Sequence, residues 1–369
     1  MITISLCMIV KNEEEVLSRC LDSVQGAVEE IIIVDTGSTD NTVNIARQYT
    51  NQVLFFPWKD DFSAARNVSF EAARMDYCMW LDADDVLEDE NREKLIQIKE
   101  TLSPDTDVVM LPYHGGFDSS GRPTLTYYRE RLLRRDRNFR WEGAVHECIT
   151  PRGKIVYGDA AVSHRKMHPS DGNRNLRIYQ AKVAAGEKLR PRDQFYYGRE
   201  LVSHNLRQEA VRVLQEFVDS GKGWRENCIE ALRNIAWCRK QDGERKKALR
   251  ALLQALEFGA PGGELCCDLG DWFREEKQYQ TAIFWYQCAA RQKMEPQTGG
   301  FVVPDCYGYL PWLQMSLCWY ALGNLQQAFN CNERALAFHP GDSICLGNRA
   351  FYQSTYQSTM KEMPRQEKV

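Results

Sequence analysis

The chain has 369 residues, long for one hydrophobic core, so two domains are expected. Lys and Arg number 47 and Asp and Glu 51, a net charge of −4 that excludes a polybasic grip on nucleic acid or on a membrane surface. With 43% hydrophobic and 27% charged residues, the composition is that of a folding globular protein, neither disordered nor fibrous.

The first ten residues, MITISLCMIV, carry no preceding positive charge and no small-residue cleavage site, and read as a first strand rather than a signal peptide. No apolar run reaches the roughly 18 residues of a membrane span, so no span is predicted and the expected compartment is the cytoplasm. From residue 2 to about 112, short β-rich runs alternate with segments of helical period, the pattern of successive βα units building a mostly parallel sheet. The predicted strands are 3–10, 31–34, 53–56, 77–81 and 108–111. Val16, Leu17, Cys20, Leu21 and Val24 form one face of the first helix, and Ser38-Thr39-Asp40 can cap the second. Asp35-Thr36-Gly37 then falls at the carboxyl end of a strand, the edge where open α/β sheets bind ligands.

Between residues 113 and about 165, Gly115-Gly116 and Ser119-Ser120-Gly121 separate aromatic and β-branched stretches, which predicts hairpins beside the sheet. A helix over 173–187 closes this half, and the domain boundary is expected in the segment 186–192, which contains Pro191. The domains are therefore an α/β domain over 1–190 and an all-α domain over 191–369.

In the second half a repeat emerges. Ala248 and Ala255, Ala282 and Ala289, and Ala328 and Ala335 are each seven residues apart, with Gly243 and Gly323 five residues before the first alanine of their pairs. The step from Ala248 to Ala282 is 34 residues, the tetratricopeptide period. The next step, 46 residues, fits if the piece from Met294 to Asp305 is an inserted loop, and Ala210 extends the series backwards by 38. Small residues at these points let paired helices approach, Trp237, Trp272 and Trp319 are expected to fill the larger holes, and His339-Pro340 to make a turn. The alternative is an ordinary helical bundle. The thirteen cysteines lie in apolar segments without metal-ligand spacing, which predicts reduced core thiols.

The sharpest chemical signal is Trp80-Leu81-Asp82-Ala83-Asp84-Asp85, a buried apolar strand ending in three carboxylates. Consecutive acids repel unless a cation joins them, and hard divalent ions such as Mg²⁺ or Mn²⁺ prefer oxygen ligands. A solvated acidic turn is the alternative, but the run falls at the same sheet edge as Asp35.

KNEE at 11–14, VDTGSTDNT at 34–42, FSAARN at 62–67 and LDADD at 81–85 together resemble a family 2 glycosyltransferase of the GT-A type. RLLRR at 131–135 with RWEGAVHE at 140–147 resembles a subgroup that includes lipooligosaccharide-core glucosyltransferases, and the repeat tail resembles that of the bacteriocin S-glycosyltransferases of the sublancin type. The resemblance implies a GT-A domain, with a Rossmann-like mixed sheet, followed by a tetratricopeptide-like domain. It also implies a nucleotide-sugar donor, UDP-linked, and a Mg²⁺ or Mn²⁺ cofactor. Asp35 would accept a hydrogen bond from uracil or ribose; Asp82 would orient ribose or sugar and share the metal; Asp84 would be its main ligand, with His164 as a further ligand or simply a structural histidine. Lys11, Asn12, Arg66 and Asn67 are candidates for donor contacts.

In an inverting transfer a base must take the acceptor's proton, and Glu147 is the expected one, with His146 as competitor. The alternative for Glu147 is a rim carboxylate paired with Arg131, Arg134 or Arg135. Trp141 either stacks on a sugar face or packs in the core. The expected acceptor is a peptide or protein drawn to the repeats, attacking through a Cys thiol or a Ser hydroxyl, or else a cell-surface saccharide; an inactive scaffold is the remaining reading. A nucleotidyltransferase is disfavoured because no Gly-rich basic loop follows the first strand, and a homodimer through the helical domain is a further expectation.

Overall fold

The computed structural model describes residues 1–117, 121, 123–167, 171–294 and 302–362. The chain divides into two compact units, Met1–Glu200 and Leu201–Val369.

The first unit is built on one mixed sheet. Its strands are β1 (Ile4–Val10), β2 (Glu30–Asp35), β3 (Val53–Phe55), β4 (Tyr77–Trp80), β5 (Asp85–Val86), β6 (Val108–Phe117), β7 (Pro123–Arg134), β8 (Ile155–Tyr157) and β9 (Val162–His164). They lie in the order β3-β2-β1-β4-β7-β6-β9-β5, with β8 also on β6. The first four are mutually parallel, as βα units require, while β7 runs antiparallel to both β4 and β6. Helices α1 (Leu17–Ser23), α2 (Thr42–Tyr49), α3 (Phe62–Ala72), α4 (Asp89–Thr101) and α5 (Arg174–Ala184) follow in chain order. β1 is apolar but for the buried Ser5 because both faces are covered, and Ile4, Leu6, Met8, Leu17 and Leu21 are buried in one cluster.

Two local expectations are corrected. Gly115-Gly116 make no turn; they lie inside β6, where the register to β7 shifts, and the lack of side chains there tolerates the irregularity. Of the expected turn Ser119-Ser120-Gly121, the two serines lie outside the described residues. The N-terminus of α2 is served by Asp40, whose Oδ1 accepts from the Thr42 N–H at 3.0 Å, while Ser38 and Thr39 bond to Asn12 instead.

The division at 200/201 falls within α6 (Pro191–Ser203). Beyond it the described residues form helices α7 (Arg207–Asp219), α8 (Arg225–Gln241), α9 (Arg245–Gln254), α10 (Gly263–Glu275), α11 (Tyr279–Arg291), α12 (Tyr309–Ala321), α13 (Leu325–Phe338) and α14 (Ser343–Glu362). Ala210, Ala248, Ala255, Ala282, Ala289, Ala328 and Ala335 are all buried, as the repeat required. The turns before α7, α9, α11 and α13 are one motif used four times. Asn205, Gly243, Lys277 and Gly323 each sit in the left-handed region, and the next residue's N–H (Leu206, Glu244, Gln278, Asn324) returns to a carbonyl five residues back (Leu201, Arg239, Phe273, Trp319). Two of the four are not glycine, which is why only Gly243 and Gly323 stood out in the sequence. Trp237 fills no hole: it is 44% exposed, a correction that places it on the surface of α8. His339 caps the end of α13, and of the expected insertion Met294 to Asp305, residues 295–301 lie outside the described set.

Gly270 of α10 lies against Tyr286 of α11, so close that a Cβ there would be 2.5 Å from the ring. Tyr286 is fully buried and its hydroxyl donates to Asp271 at 2.6 Å, so it cannot swing aside without losing that bond. Gly270→Val should destabilise the helical unit by about 1–3 kcal/mol through overpacking, against a helix-propensity gain of a few tenths. Thermal unfolding of the purified variant reads this; an unchanged melting temperature contradicts it.

All thirteen cysteines are free, and all but Cys148 and Cys288 are buried. No helix among the described residues is long and apolar enough to cross a membrane.

Candidate active site

The acidic run folds into a tight turn at the carboxyl end of β4. The Asp85 N–H donates to the Asp82 carbonyl at 3.0 Å, and the Asp82 N–H donates to Asp85 Oδ2 at 3.1 Å. Antiparallel pairing of β5 with β9 sets His164 opposite Asp85, and the Arg165 N–H donates to the Asp84 carbonyl at 2.9 Å. The register therefore delivers the imidazole to the acids. His164 Nδ1 lies 3.3 Å from Asp84 Oδ1 and 3.4 Å from Asp85 Oδ1, and ligand atoms of all three lie within 4.8 Å of one another. Two carboxylates and an imidazole suit Mn²⁺ or Mg²⁺. Hydrogen bonding to Asp84, then Asp85, raises His164 to about 10, so a cation bound there would displace a proton.

The expected metal set of Asp82, Asp84 and His164 is thus corrected at one position: Asp85 completes the cluster, and Asp82 turns elsewhere. Asp85 is wholly buried, with Arg131 Nη1 3.2 Å from Oδ2 and the Tyr113 hydroxyl donating to Oδ1 at 3.0 Å. Arg131 is equally buried: its Nη1 donates to the Trp80 carbonyl at 2.8 Å, and its guanidinium lies 3.7 Å from the Trp80 ring centroid and 4.7 Å from that of Tyr113.

Asp82 meets Arg66. The Arg66 Nη2 donates to Asp82 Oδ1 at 2.6 Å, and its Nε donates to Glu147 Oε1 at 2.7 Å, so one guanidinium joins the acidic turn to the expected base. Burial alone would raise the Asp82 carboxyl, but the Arg66 charge and hydrogen bond hold it at about 2. Glu147 does form an ion pair, with Arg66 and not with Arg131, Arg134 or Arg135. α3 makes this possible: Asp61 caps it by accepting from the Ala64 N–H at 2.9 Å, and the Phe62 N–H donates to the Ala144 carbonyl at 2.8 Å. Asn67 clamps the same loop, its amide donating to the Trp141 carbonyl at 3.0 Å and accepting from the Trp141 N–H at 2.9 Å. With both ends of its amide occupied, Asn67 is a brace and is corrected from a donor contact. Trp141 is 2% exposed, edge-on to Trp80 at 4.9 Å and covered by the Arg66 guanidinium at 4.8 Å. No open face is left for a sugar, so its core reading replaces the stacking one.

At the end of β2, Asp35 accepts from the backbone N–H groups of Gly37 and Ser38 at 3.1 Å, shaping the loop below it. Asn12, in the left-handed region, accepts from the Thr39 N–H at 2.8 Å and its own N–H donates to Ser38 Oγ at 3.0 Å, so it ties the β1 and β2 loops together. Lys11 beside it is exposed. These three gather at the same carboxyl edge of the parallel strands as the acidic turn.

The base candidates sit in a narrow loop closed by Glu142 and Cys148, whose backbones exchange two hydrogen bonds of 2.9 and 3.0 Å. His146 adopts the left-handed conformation; its Nε2 is 2.7 Å from Glu200 Oε1 and its ring stacks on Tyr196 at 4.3 Å. Glu142 pairs with Arg190 at 2.8 Å. Sequence reasoning missed Asp85 as a cluster member, Arg131 as its buried counterion and Glu200 as the partner of His146. Glu130 to Leu133 of β7 are all buried, so no alternation marks Arg131 as core, and nothing local points to Glu200.

A mixed α/β sheet with an acidic, metal-capable turn at the carboxyl edge of its parallel strands and a carboxylate across from it is the GT-A glycosyltransferase arrangement. Residues 5–153 match the family model Glycosyl transferase family 2, and this part of the chain is a glycosyltransferase domain of that family, one that uses a nucleotide-sugar donor. The chain is 28% identical over 358 residues to a TPR repeat-containing protein of Synechococcus elongatus, covering 92% of this chain and 76% of that protein. It is 29% identical over 247 residues to the SPbeta prophage-derived glycosyltransferase SunS of Bacillus subtilis, covering 62% of this chain and 57% of SunS. It is also 28% identical over 163 residues to the lipopolysaccharide core biosynthesis glycosyltransferase LpsC of Rhizobium meliloti, covering 41% of this chain and 58% of LpsC. The chain thus spans little more than half of the two named transferases. Among solved structures, a tetratricopeptide repeat protein from Parabacteroides merdae aligns with a TM-score of 0.39 and 16% identity, covering 52% of this chain and 70% of that one.

Proposed function

We propose that the chain is a metal-dependent, inverting glycosyltransferase that moves a hexose or N-acetylhexosamine from a UDP-sugar to a peptide or protein acceptor. The observation that carries this reading is the pairing, through Arg66, of an acidic turn bearing the Asp84, Asp85 and His164 cluster with the carboxylate of Glu147. Asp84 and His164, with Asp85 behind them, would hold Mg²⁺ or Mn²⁺, which when bound neutralises the negative charge of the diphosphate leaving group. Asp35 and the loop it shapes receive the nucleoside, with Lys11 at its exposed rim. Glu147 takes the proton from the acceptor's hydroxyl or thiol as that atom bonds to the anomeric carbon and the bond to UDP breaks on the opposite face. Glu147 is favoured over His146 because its hydrogen bond to Arg66 uses Oε1, whereas His146 Nε2 is already engaged by Glu200.

The resemblance of the repeat tail to bacteriocin S-glycosyltransferases favours a peptide acceptor, which a helical repeat unit can hold at high local concentration. The 28% identity to LpsC supports a saccharide acceptor as the second reading.

The test is UDP release from UDP-glucose, UDP-galactose and their N-acetylamino counterparts, with and without Mn²⁺. We expect metal-dependent release by the wild-type chain and a loss of about 10²-fold or more in Asp84→Asn. The fold of that variant should stay intact, because Asp84 is partly exposed and its backbone bond to Arg165 remains. Release that is independent of metal, or Mn²⁺-enhanced UDP binding that survives in the variant, overturns the assignment.

A further inference from the structure

We infer that Arg66 is a positioning residue for the base: its guanidinium fixes the Glu147 carboxylate relative to the acidic turn and makes no contact with the donor. This rests on the reading of Glu147 as the base. Arg66 has two hydrogen-bonding edges in use, Nη2 to Asp82 Oδ1 at 2.6 Å and Nε to Glu147 Oε1 at 2.7 Å, and its side chain is only 8% exposed. The remaining nitrogen, Nη1, is buried without a hydrogen-bond partner among the described residues, and the guanidinium lies against the rings of Trp141 at 4.8 Å and Trp80 at 5.3 Å. Those ring faces supply favourable cation–π contact where a hydrogen bond is absent. At 8% exposure, and with its guanidinium set against the two indoles, Arg66 offers little surface to a sugar nucleotide.

What its geometry does is orient. A guanidinium is a rigid planar fork, so two carboxylates bonded to it are held at a set separation and angle, which a lysine ammonium, a point charge on a flexible stem, cannot reproduce. The fork is itself immobilised, because α3 is pinned to the 141–147 loop by the Phe62 to Ala144 bond and by the Asn67 clamp on Trp141. Engaging Oε1 leaves Oε2 of Glu147 as the atom that receives a proton. A base must lie within about 3 Å of the proton it takes, and a displacement of 1 Å costs on the order of 10²-fold in rate.

The test is a double-mutant cycle on the full chain, with Mn²⁺, the turned-over UDP-sugar as donor and water as acceptor, following UDP release, together with calorimetric binding of UDP. R66K should lower kcat by about 10²-fold and leave the UDP dissociation constant unchanged. E147Q alone should lower kcat, and R66K added to E147Q should cause no further loss, since Arg66 acts through Glu147. Additive losses in the double variant, or an R66K that weakens UDP binding and keeps kcat, overturn the inference while leaving the base in place. An E147Q that keeps full kcat overturns the base reading instead, and a wild-type chain that releases no UDP overturns both. Should R66K fail to fold, E147D reads the same point: it retains a carboxylate but withdraws it from Nε, and an undiminished kcat would contradict a requirement for position.

Discussion

Glu147→Gln should lower kcat by about 10² to 10⁴-fold, the usual contribution of a general base, while UDP binds as before. The amide keeps the volume of the carboxylate and can still accept the Arg66 Nε–H, so the loop and the Arg66 bridge stay formed. What it lacks is a lone pair basic enough to take a proton. If the acceptor is a thiol the loss should sit at the lower end, because a cysteine is already a few per cent thiolate at neutral pH and needs less assistance than a hydroxyl. Steady-state UDP release with peptide acceptors ending the attack at Ser or at Cys compares the two directly. A loss below about tenfold with a hydroxyl acceptor would move the proton acceptor away from Glu147.

Asp85→Ala is expected to act on stability. Its carboxylate is fully buried, opposes the equally buried Arg131, accepts from Tyr113 and from the Asp82 N–H, and faces His164. Removing it leaves a guanidinium uncompensated beneath the sheet edge, a loss of about 3–5 kcal/mol, or roughly 6–20 °C in melting temperature for a unit of this size. Arg131 cannot escape to water, since its Nη1 is tied to the Trp80 carbonyl and its plane is pressed on the Trp80 ring. Differential scanning fluorimetry of Asp85→Ala beside Asp84→Asn separates the two acids: a large drop for the first with little change for the second is expected, and equal drops would contradict the division of labour between them.

That division was beyond the reach of the sequence. Three acids within four residues pointed to a cation, and the sheet edge they occupy followed from the βα alternation before them, so the place of Asp84 in the fold was legible from pattern and charge. Which carboxylates meet His164 depends on one turn and on the register of β9 against β5, with His164 79 residues from Asp85 in the chain, and local spacing carries neither. Trp141 was picked out for the right neighbourhood and given the wrong orientation, because burial decides whether an indole faces a ligand or a core. Arg131 was hidden inside a basic run that reads as surface, although both faces of β7 are covered over Glu130 to Leu133. In the second half the buried alanines were legible because period and residue size together define a helix-to-helix contact; Trp237 was not, since a large aromatic at the same period fits either side of a helix.

The four left-handed turns also determine where this chain can grow. Each is closed by two hydrogen bonds within six residues, so a residue added inside one would break both, whereas length added between one helix pair and the next leaves every turn intact. The distance from Lys277 to Gly323 is 46 residues against 34 for the preceding step, and the surplus falls between Arg291 and Tyr309, outside any such turn. The unit therefore behaves as a rack with fixed brackets and adjustable spacers. New surface can be grafted at the spacers without refitting the helices that carry it.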